Sequence, residues 1–182
     1  MKLHRIFIAI NLPEGVKNEL LAYQAKWPEL PARWTSKENL HLTLAFLGNT
    51  SDDELAEIRK AMQAVGERHS RFGLKVIHLQ YGPDAKRPRM IWALIEESPE
   101  LLELQKDVMR TLHTEEEQNF IPHLTLARLR TFELQRMEDE ELPEVNEDVS
   151  ISFQVNSIEV MTSILKRSGA QYTVVQSFPF LT

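Results

Sequence analysis

Cysteine is absent from this chain of 182 residues, and that absence excludes several kinds of site at once. A chain without thiols has no disulfide, no thiolate zinc site, no iron–sulfur cluster and no cysteine nucleophile. Long apolar runs are also missing, since no stretch approaches the ~20 residues that a membrane helix requires. The first apolar run ends at Asn11 and has no small-residue cleavage site, so it predicts a strand and not an export signal. These features predict a cytoplasmic protein that does not bind membranes.

Positive charge is in deficit. The chain has 21 Lys and Arg against 27 Asp and Glu, which gives a net charge of −6. Such a balance argues against a protein that coats long nucleic acid by counterion release, but it leaves room for a local phosphate site. The composition is 42% hydrophobic and 26% charged, which is typical of globular proteins. The length predicts one domain, or two small lobes that share a core.

Strand and helix signals alternate along the chain. Ser51 with Glu54 three residues later predicts a capping box, and Ser98-Pro99 predicts a second helix start. Strands are predicted where β-branched and aromatic residues cluster, and a late hairpin closes the chain. The pattern favours an α+β protein with an antiparallel or mixed sheet. The predicted strands are Leu3–Ile10, Arg33–Thr35, Leu40–Leu47, Phe72–Leu79, Arg89–Glu96, His123–Leu129, Ser150–Leu165 and Gln171–Ser177, and a first helix is predicted within Pro13–Trp27.

Carboxylates are concentrated in one segment, Phe132 to Val149, which includes the acidic run Glu138–Glu141. We interpret this segment as a short helix and a solvated loop. The sequence contains no H-x-H or H-E-x-x-H pattern that would add imidazole ligands. No metal or other cofactor is therefore expected.

One heptad occurs twice. His41–Leu47 reads HLTLAFL, and His123–Leu129 reads HLTLARL 82 residues later, so six of seven positions are identical. Only Phe46 and Arg128 differ. Because strand and helix signals of similar order flank each copy, the repeat predicts two similar lobes related by a pseudo-twofold axis.

Strand geometry gives the repeat a chemical meaning. Residues i and i+2 share a face of a strand, so His41 lies beside Thr43, and His123 lies beside Thr125. If the pseudo-twofold axis brings the copies together, two imidazoles and two hydroxyls converge on one groove. One imidazole can then take a proton from an attacking water while the other protonates a leaving oxygen, which suits phosphodiester hydrolysis without a metal. The hydroxyls can stabilise the charge on the phosphoryl oxygens.

A structural interpretation competes with this one. A lone His-x-Thr in an apolar strand is more often a core histidine beside a β-forming residue, so neither copy alone supports a catalytic role. Packing explains why both copies keep Leu and Ala. It gives no reason for both copies to keep His and Thr on the polar face, and we therefore favour function.

The sequence resembles the 2H phosphoesterases, which are defined by two H-x-T-x motifs, and in particular their bacterial RNA 2′,3′-cyclic phosphodiesterases, once described as 2′-5′ RNA ligases. The resemblance covers almost the whole chain. It rests on Arg5–Ala9, Trp34, Asn39–Gly48, Pro88–Trp92, Pro122–Arg128, Ser163–Leu165 and Gly169–Tyr172.

The resemblance implies that residues 1–182 form one α+β domain of two lobes, with antiparallel sheets flanking a central groove and helices outside. It implies hydrolysis of an RNA 2′,3′-cyclic phosphate to a 2′-phosphomonoester. His41 would be the proton donor and His123 the proton acceptor, while Thr43, Thr125 and Arg128 would bind the phosphate. The expected partner is an RNA end or oligonucleotide, and the expected state is a monomer without a protein partner.

Two other functions remain open at this point. The same acid and base could run the reverse reaction and join RNA halves through a 2′-5′ linkage. Alternatively, the chain could bind nucleotides with little turnover, although the presence of both histidines argues against this.

Strict strand alternation makes specific predictions about the two residues that differ between the copies. It places Phe46 on the apolar face, which favours a core residue over a stacking platform for a base. It also places Arg128 on the face opposite His123, so a phosphate contact by Arg128 requires a bulge or an early strand end. A basic loop, Lys86–Arg89, with Lys75, Lys166 and Arg167, is a candidate guide for an RNA end, or a solubility feature.

Overall fold

The structure, a computed structural model, describes residues 3–114, 120–137, 141–167 and 169–182. It contains nine strands and four α-helices within those residues. In chain order these are β1 (His4–Asn11), α1 (Glu14–Ala22), β2 (Ala32–Trp34), β3 (His41–Thr50), α2 (Asp52–Gly66), β4 (Phe72–Gly82), β5 (Met90–Ile95), α3 (Pro99–Thr111), β6 (His123–Leu129), α4 (Thr131–Leu134), β7 (Asn146–Val155), β8 (Ser157–Lys166) and β9 (Gly169–Pro179).

The strands form one antiparallel sheet in the order β7-β4-β5-β6-β3-β1-β8-β9, with β2 paired to β6. The order is symmetric about the junction between β6 and β3, because four strands lie on each side of it. One half, β4 to β7, is continuous in sequence. The other half combines β1 and β3 with β8 and β9, so it contains both ends of the chain. The predicted α+β class and two-lobed arrangement are confirmed.

The helices cover one face of this sheet. Leu42 and Leu124 are fully buried and belong to a core that also contains the apolar stripes of α1, α2 and α3. Both predicted helix starts are confirmed: the Ser51 and Glu54 side chains form the capping box of α2, and the Ser98 hydroxyl accepts the Leu101 N–H at the start of α3. In the described parts of the chain, none of the helices is both long and apolar enough to span a membrane.

The prediction of a single strand from Ser150 to Leu165 is wrong. That segment forms the end of β7 and most of β8, separated by Asn156. The two strands pair with β4 and β1 respectively, which lie in opposite halves of the sheet. Since one residue connects positions that are so distant in strand order, the sheet must be strongly curled. The apolar positions change from odd to even numbers across Asn156 and Ser157, a shift that indicates an irregularity but does not reveal the change of partner.

Two smaller predictions differ from the structure. The strand predicted to end at Leu47 continues, because Gly48–Thr50 belongs to β3 and pairs with β1, and Gly48 has a φ of 74°. The acidic segment contains the expected short helix, α4, but it also contains the start of β7 at Asn146. Residues 138–140 of the acidic run lie outside the described residues.

Candidate active site

The two heptads lie at the centre of the sheet. β3 begins at His41 and β6 begins at His123, and the two strands pair antiparallel through Leu42 and Leu124. That register sets His41 across from Thr125, and Thr43 across from His123. The histidines are then diagonal neighbours, for which side-chain positions are roughly 7–8 Å apart in an antiparallel pair. The structure thus brings both H-x-T motifs to one site, on the face opposite the helices.

Both imidazoles are oriented in the same way. His41 Nδ1 lies 2.7 Å from the carbonyl oxygen of Asn39, and His123 Nδ1 lies 2.7 Å from that of Ile121. A carbonyl only accepts hydrogen bonds, so Nδ1 carries the proton in each ring. Nε2 is therefore the ring nitrogen that is able to accept a proton. In His41 it lies 3.0 Å from the hydroxyl of Thr43, which donates to it while the ring is neutral.

His41 is held by aromatic neighbours and by a bridge to β9. The Phe7 ring centroid is 4.9 Å from the imidazole, and the Tyr172 ring meets it edge-on at 5.0 Å. The Asn39 side chain accepts the Tyr172 N–H at 3.0 Å and donates to the Ala170 carbonyl at 2.7 Å. Since the Asn39 carbonyl also holds His41, this residue links the imidazole to the opposite edge of its half of the sheet.

Burial lowers the pKa of His41 from the ordinary value of 6.5 to about 4. The positive charges of Lys17, Arg128 and His123 lower this pKa further, while the hydrogen bond to the Asn39 carbonyl opposes the shift. His41 is consequently neutral near pH 7 in the free protein, and a bound anion that offsets these positive charges must raise its pKa.

His123 has a different environment. Its ring stacks on Trp92, with centroids 3.9 Å apart and an interplanar angle of 21°. Trp92 is buried, and an added methyl group at Gly82 would lie 2.3 Å from its indole ring, so no larger residue fits there without displacing Trp92. The indole N–H is buried and has no hydrogen-bond partner in the described part of the structure. Trp92 thus supports the imidazole from the neighbouring strand.

A bulge at the same position of each heptad decides where the two differing residues point. Leu44 is the extra residue in the pairing of β3 with β1, and Leu126 is the extra residue in the pairing of β6 with β5. After each bulge, the residues that would have faced the core face the site, and those that would have faced the site face the core. Phe46 is therefore 71% exposed and lines the groove, so its prediction as a core residue is wrong. Arg128 is exposed on the same face as the motif residues, and the bulge that a phosphate contact requires is present.

A groove of about 1040 Å³ opens beside His41. Its lining residues come mainly from β1, β3, β8, β9 and the segment 33–39, with Arg128 contributed by β6. Four cationic side chains line it against one carboxylate, Glu38. The cations are Arg5, Arg33, Arg128 and Lys166. Among the described residues that the sequence offered as a guide for an RNA end, Lys166 alone lines this groove. Lys75 lies beside a different cavity, and Lys86 and Arg87 are exposed elsewhere.

No group of three or more His, Asp or Glu side chains converges to hold a metal ion among the residues that the structure describes. The polar groups at the site are instead two imidazoles, two hydroxyls and a guanidinium. This set can bind a phosphoryl group and move protons on both sides of it.

Comparison with known proteins decides the family. The family described as LigT like Phosphoesterase matches residues 10–92 and 95–172, and each matched segment contains one H-x-T motif. The chain belongs to the LigT-like phosphoesterase family. The resemblance to the 2H phosphoesterases noted from the motifs is thereby confirmed.

Relatives match between 79% and 98% of the chain. An RNA 2′,3′-cyclic phosphodiesterase of Aquifex aeolicus is 29% identical over 190 residues, covering 98% of this chain and 98% of the relative. A protein of the same name from Aeropyrum pernix is 32% identical over 148 residues, covering 79% of this chain and 83% of the relative. The crystal structure of TT0787 of Thermus thermophilus superposes with a TM-score of 0.82 at 26% identity, covering 97% of each chain.

Sequence reasoning missed the residues that orient the LigT-like site. The Asn39 side chain bonds to the backbone of β9, Phe7 contacts His41 from β1, and Trp92 contacts His123 from β5. All three lie in segments that carried the family resemblance, and that was the available signal. Their contacts could not be read because they depend on strand order.

The shifted pKa of His41 can be measured directly. In an NMR titration of the free protein we expect the His41 ring to titrate near pH 4, and inorganic phosphate to raise that midpoint because an anion favours the imidazolium. Lys17→Met removes a buried cation of similar shape and should also raise the midpoint. A His41→Gln spectrum assigns the resonance. A midpoint of about 6.5 in the free protein, the unperturbed value, would contradict the burial argument.

Proposed function

We propose that this protein hydrolyses RNA 2′,3′-cyclic phosphodiesters to 2′-phosphomonoesters, with His41 as proton donor and His123 as proton acceptor. The observation that carries the proposal is the matched orientation of the two imidazoles. Each is fixed through Nδ1 by a backbone carbonyl at 2.7 Å, so each offers Nε2 to the same site. The name shared by the two relatives described above, RNA 2′,3′-cyclic phosphodiesterase, supports the choice of substrate.

The proposed step is an in-line displacement at phosphorus. Water attacks as His123 Nε2 takes its proton, and the bond between phosphorus and O3′ breaks as His41 Nε2–H protonates O3′. A P–O bond to water forms as the P–O3′ bond is lost, and the phosphate stays attached through O2′. The two histidines finish with exchanged protonation states, so solvent must return a proton to His41 and remove one from His123 before the next turnover.

Thr43, Thr125 and Arg128 stabilise the phosphoryl oxygens in this proposal. Their donors already lie on the groove face, so they need little reorganisation when negative charge increases in the transition state. Arg128 can donate two parallel hydrogen bonds to a phosphate, which the hydroxyls cannot. Its guanidinium is engaged in the structure only by the weak acceptor Met90 Sδ, at 3.7 Å, among the described residues.

The low pKa of His41 sets a requirement on this mechanism. A proton donor must be protonated when the substrate is bound, and His41 in the free protein is neutral near pH 7. The negative charge of the cyclic phosphate raises the pKa of His41 on binding, so substrate and proton bind together. Phosphate affinity is therefore expected to increase as the pH falls from 7 toward the His41 pKa of about 4.

All the groups in this mechanism belong to one chain, and we propose that a monomer is active.

The test is a reaction with 2′,3′-cyclic nucleotides in the presence of EDTA, with the product identified by its phosphorus NMR spectrum. We expect a 2′-phosphomonoester and no effect of EDTA, because the proposed chemistry uses imidazoles alone. A 3′-phosphate would contradict the assigned leaving oxygen, and activity that EDTA abolished would contradict the metal-free mechanism. RNA halves joined through a 2′-5′ linkage, or binding without turnover, would favour the two alternatives raised by the sequence.

A further inference from the structure

The groove extends to one side of the histidine pair. Most of the residues that line it belong to β1, β3, β8 and β9, in the half of the sheet that contains His41, or to the segment 35–39 that leads into β3. Among the described residues, the half that contains His123 contributes Arg128 from β6 and, from the paired strand β2, Arg33 and Trp34. At about 1040 Å³ the groove is at the upper end of the roughly 300–1,000 Å³ typical of small-molecule pockets. It offers more space than a cyclic phosphate requires.

Positive charge continues along this extension, away from the reacting phosphate. Arg33 pairs with Arg128 across β2 and β6, so their positions are adjacent. The Arg33 guanidinium also lies against Gly169, where an added methyl group would be 3.0 Å from Nη1. Gly169 in turn pairs with Lys166 at the β8–β9 turn. Cationic positions thus follow one another from Arg128 through Arg33 to Lys166.

These cations are available to a ligand. Arg5, Arg33 and Lys166 are exposed, and none of them forms an ion pair with a carboxylate within the described ranges. Two exposed apolar side chains lie beside them: Phe46 is 71% exposed and Leu165 is 70% exposed. Unpaired cations next to flat apolar surface are what a single strand of nucleic acid needs, because its phosphates require charge and its bases require stacking surfaces.

We propose that this extension is a subsite for the RNA chain on the 5′ side of the reacting phosphate. Arg33 and Lys166 bind the phosphodiester that precedes the terminal nucleoside, and Phe46 provides a stacking surface for a base. This inference rests on the proposed function and deepens it: the preferred substrate is an oligonucleotide ending in a cyclic phosphate, not a cyclic mononucleotide. It also gives the RNA a direction, because the upstream chain lies over β1, β8 and β9.

The test compares adenosine 2′,3′-cyclic phosphate with the dinucleotide ApA that ends in a 2′,3′-cyclic phosphate. We expect kcat/KM to be at least about tenfold higher for the dinucleotide, as one charge-assisted contact would provide. Its kcat/KM should also fall more steeply with salt, by about 0.7 in the log–log slope for the added phosphate. The double variant Arg33→Gln/Lys166→Gln should remove most of the advantage and the extra slope.

Two controls assign the effect to this phosphate. The variant Lys86→Gln/Arg87→Gln removes two exposed cations outside the groove and should keep the advantage of the dinucleotide. A dinucleotide with an uncharged methylphosphonate linkage should lose the advantage in the parent protein, and the Arg33→Gln/Lys166→Gln substitutions should then have no further effect. Thermal unfolding verifies that each variant is folded.

The failure of this inference is distinguishable from failure of the proposed function. Equal kcat/KM for both substrates would overturn the subsite and leave the hydrolysis intact, as would an advantage that survives in the double variant. An advantage that survives the methylphosphonate would overturn the assigned phosphate contact. If neither substrate is hydrolysed, the proposed function is overturned, and the subsite with it.

Discussion

Replacing either motif histidine with alanine is expected to lower kcat by about 10²-fold or more, the usual contribution of a general acid or base. His41→Ala removes the proposed proton donor for O3′, and His123→Ala removes the proposed acceptor for the proton of water. The double variant should lose less than the product of the two single effects, because residues that act as a unit are not additive. Steady-state rates with a 2′,3′-cyclic substrate measure all three effects.

A third histidine provides a matched control. His78 lies in β4 and is bonded through Nδ1 to Asp148 at 2.8 Å, away from the groove, so His78→Ala should retain the parent rate. Retention of activity in both His41→Ala and His123→Ala would contradict the two-imidazole mechanism.

The leaving group distinguishes the two roles. A 3′-deoxynucleoside 2′-(p-nitrophenyl phosphate) keeps phosphorus on O2′ and has p-nitrophenolate in place of O3′ as the leaving group. Because p-nitrophenolate departs without protonation, the loss of a proton donor matters little with this substrate. We expect this substrate to restore much of the lost rate in His41→Ala but not in His123→Ala. Restoration in His123→Ala instead would reverse the assignment of donor and acceptor.

Arg128→Ala is the second change with a large expected effect. Loss of one preorganised donor to a developing oxyanion costs about 10²–10³ in kcat, so we expect a decrease in that range. Arg128→Lys keeps the charge but loses the two parallel hydrogen bonds, and should fall between the parent and the alanine variant. Measurement of kcat and KM with the cyclic mononucleotide distinguishes a weaker binding of substrate from a slower chemical step.

The control for Arg128 is the next arginine along the chain. Arg130 is exposed and pairs with Glu133 at 3.3 Å at the start of α4, outside the groove. Arg130→Ala should therefore leave kcat and KM near the parent values. If Arg128→Ala behaved in the same way, Arg128 would have no part in phosphate binding.

Local signals in the sequence predicted the elements well where a few adjacent residues determine the geometry. Ser51 with Glu54, and Ser98 with Pro99, define helix starts through contacts three residues apart. The repeated heptad identified His41 and His123 without any knowledge of strand order, because both copies keep the same alternation up to the third residue.

The remaining features depend on which strands are neighbours. The apolar positions shift from odd to even numbers across Asn156 and Ser157, but only the pairing of the two strands with β4 and β1 shows that the chain changes partner there. The positions of Phe46 and Arg128 depend on bulges, which are defined against a partner strand. The apolar positions also shift after Leu126, whereas the apolar Phe46 hides the same shift after Leu44. Local sequence patterns therefore do not show which strands pair when those strands are far apart in the sequence.

The matched bulges also explain why the two heptads differ where they do. In each copy, the first two Leu residues, Ala and the final Leu pack into the core or against it, while His and Thr lie on the opposite face at the site. The sixth position, two residues after the bulge, is exposed and lines the groove, and there one copy has Phe46 and the other Arg128. A duplicated segment under these constraints can specialise at a single position without loss of stability. Divergence at that position makes a site built by symmetric halves chemically unequal, with a ring on one side and a charge on the other.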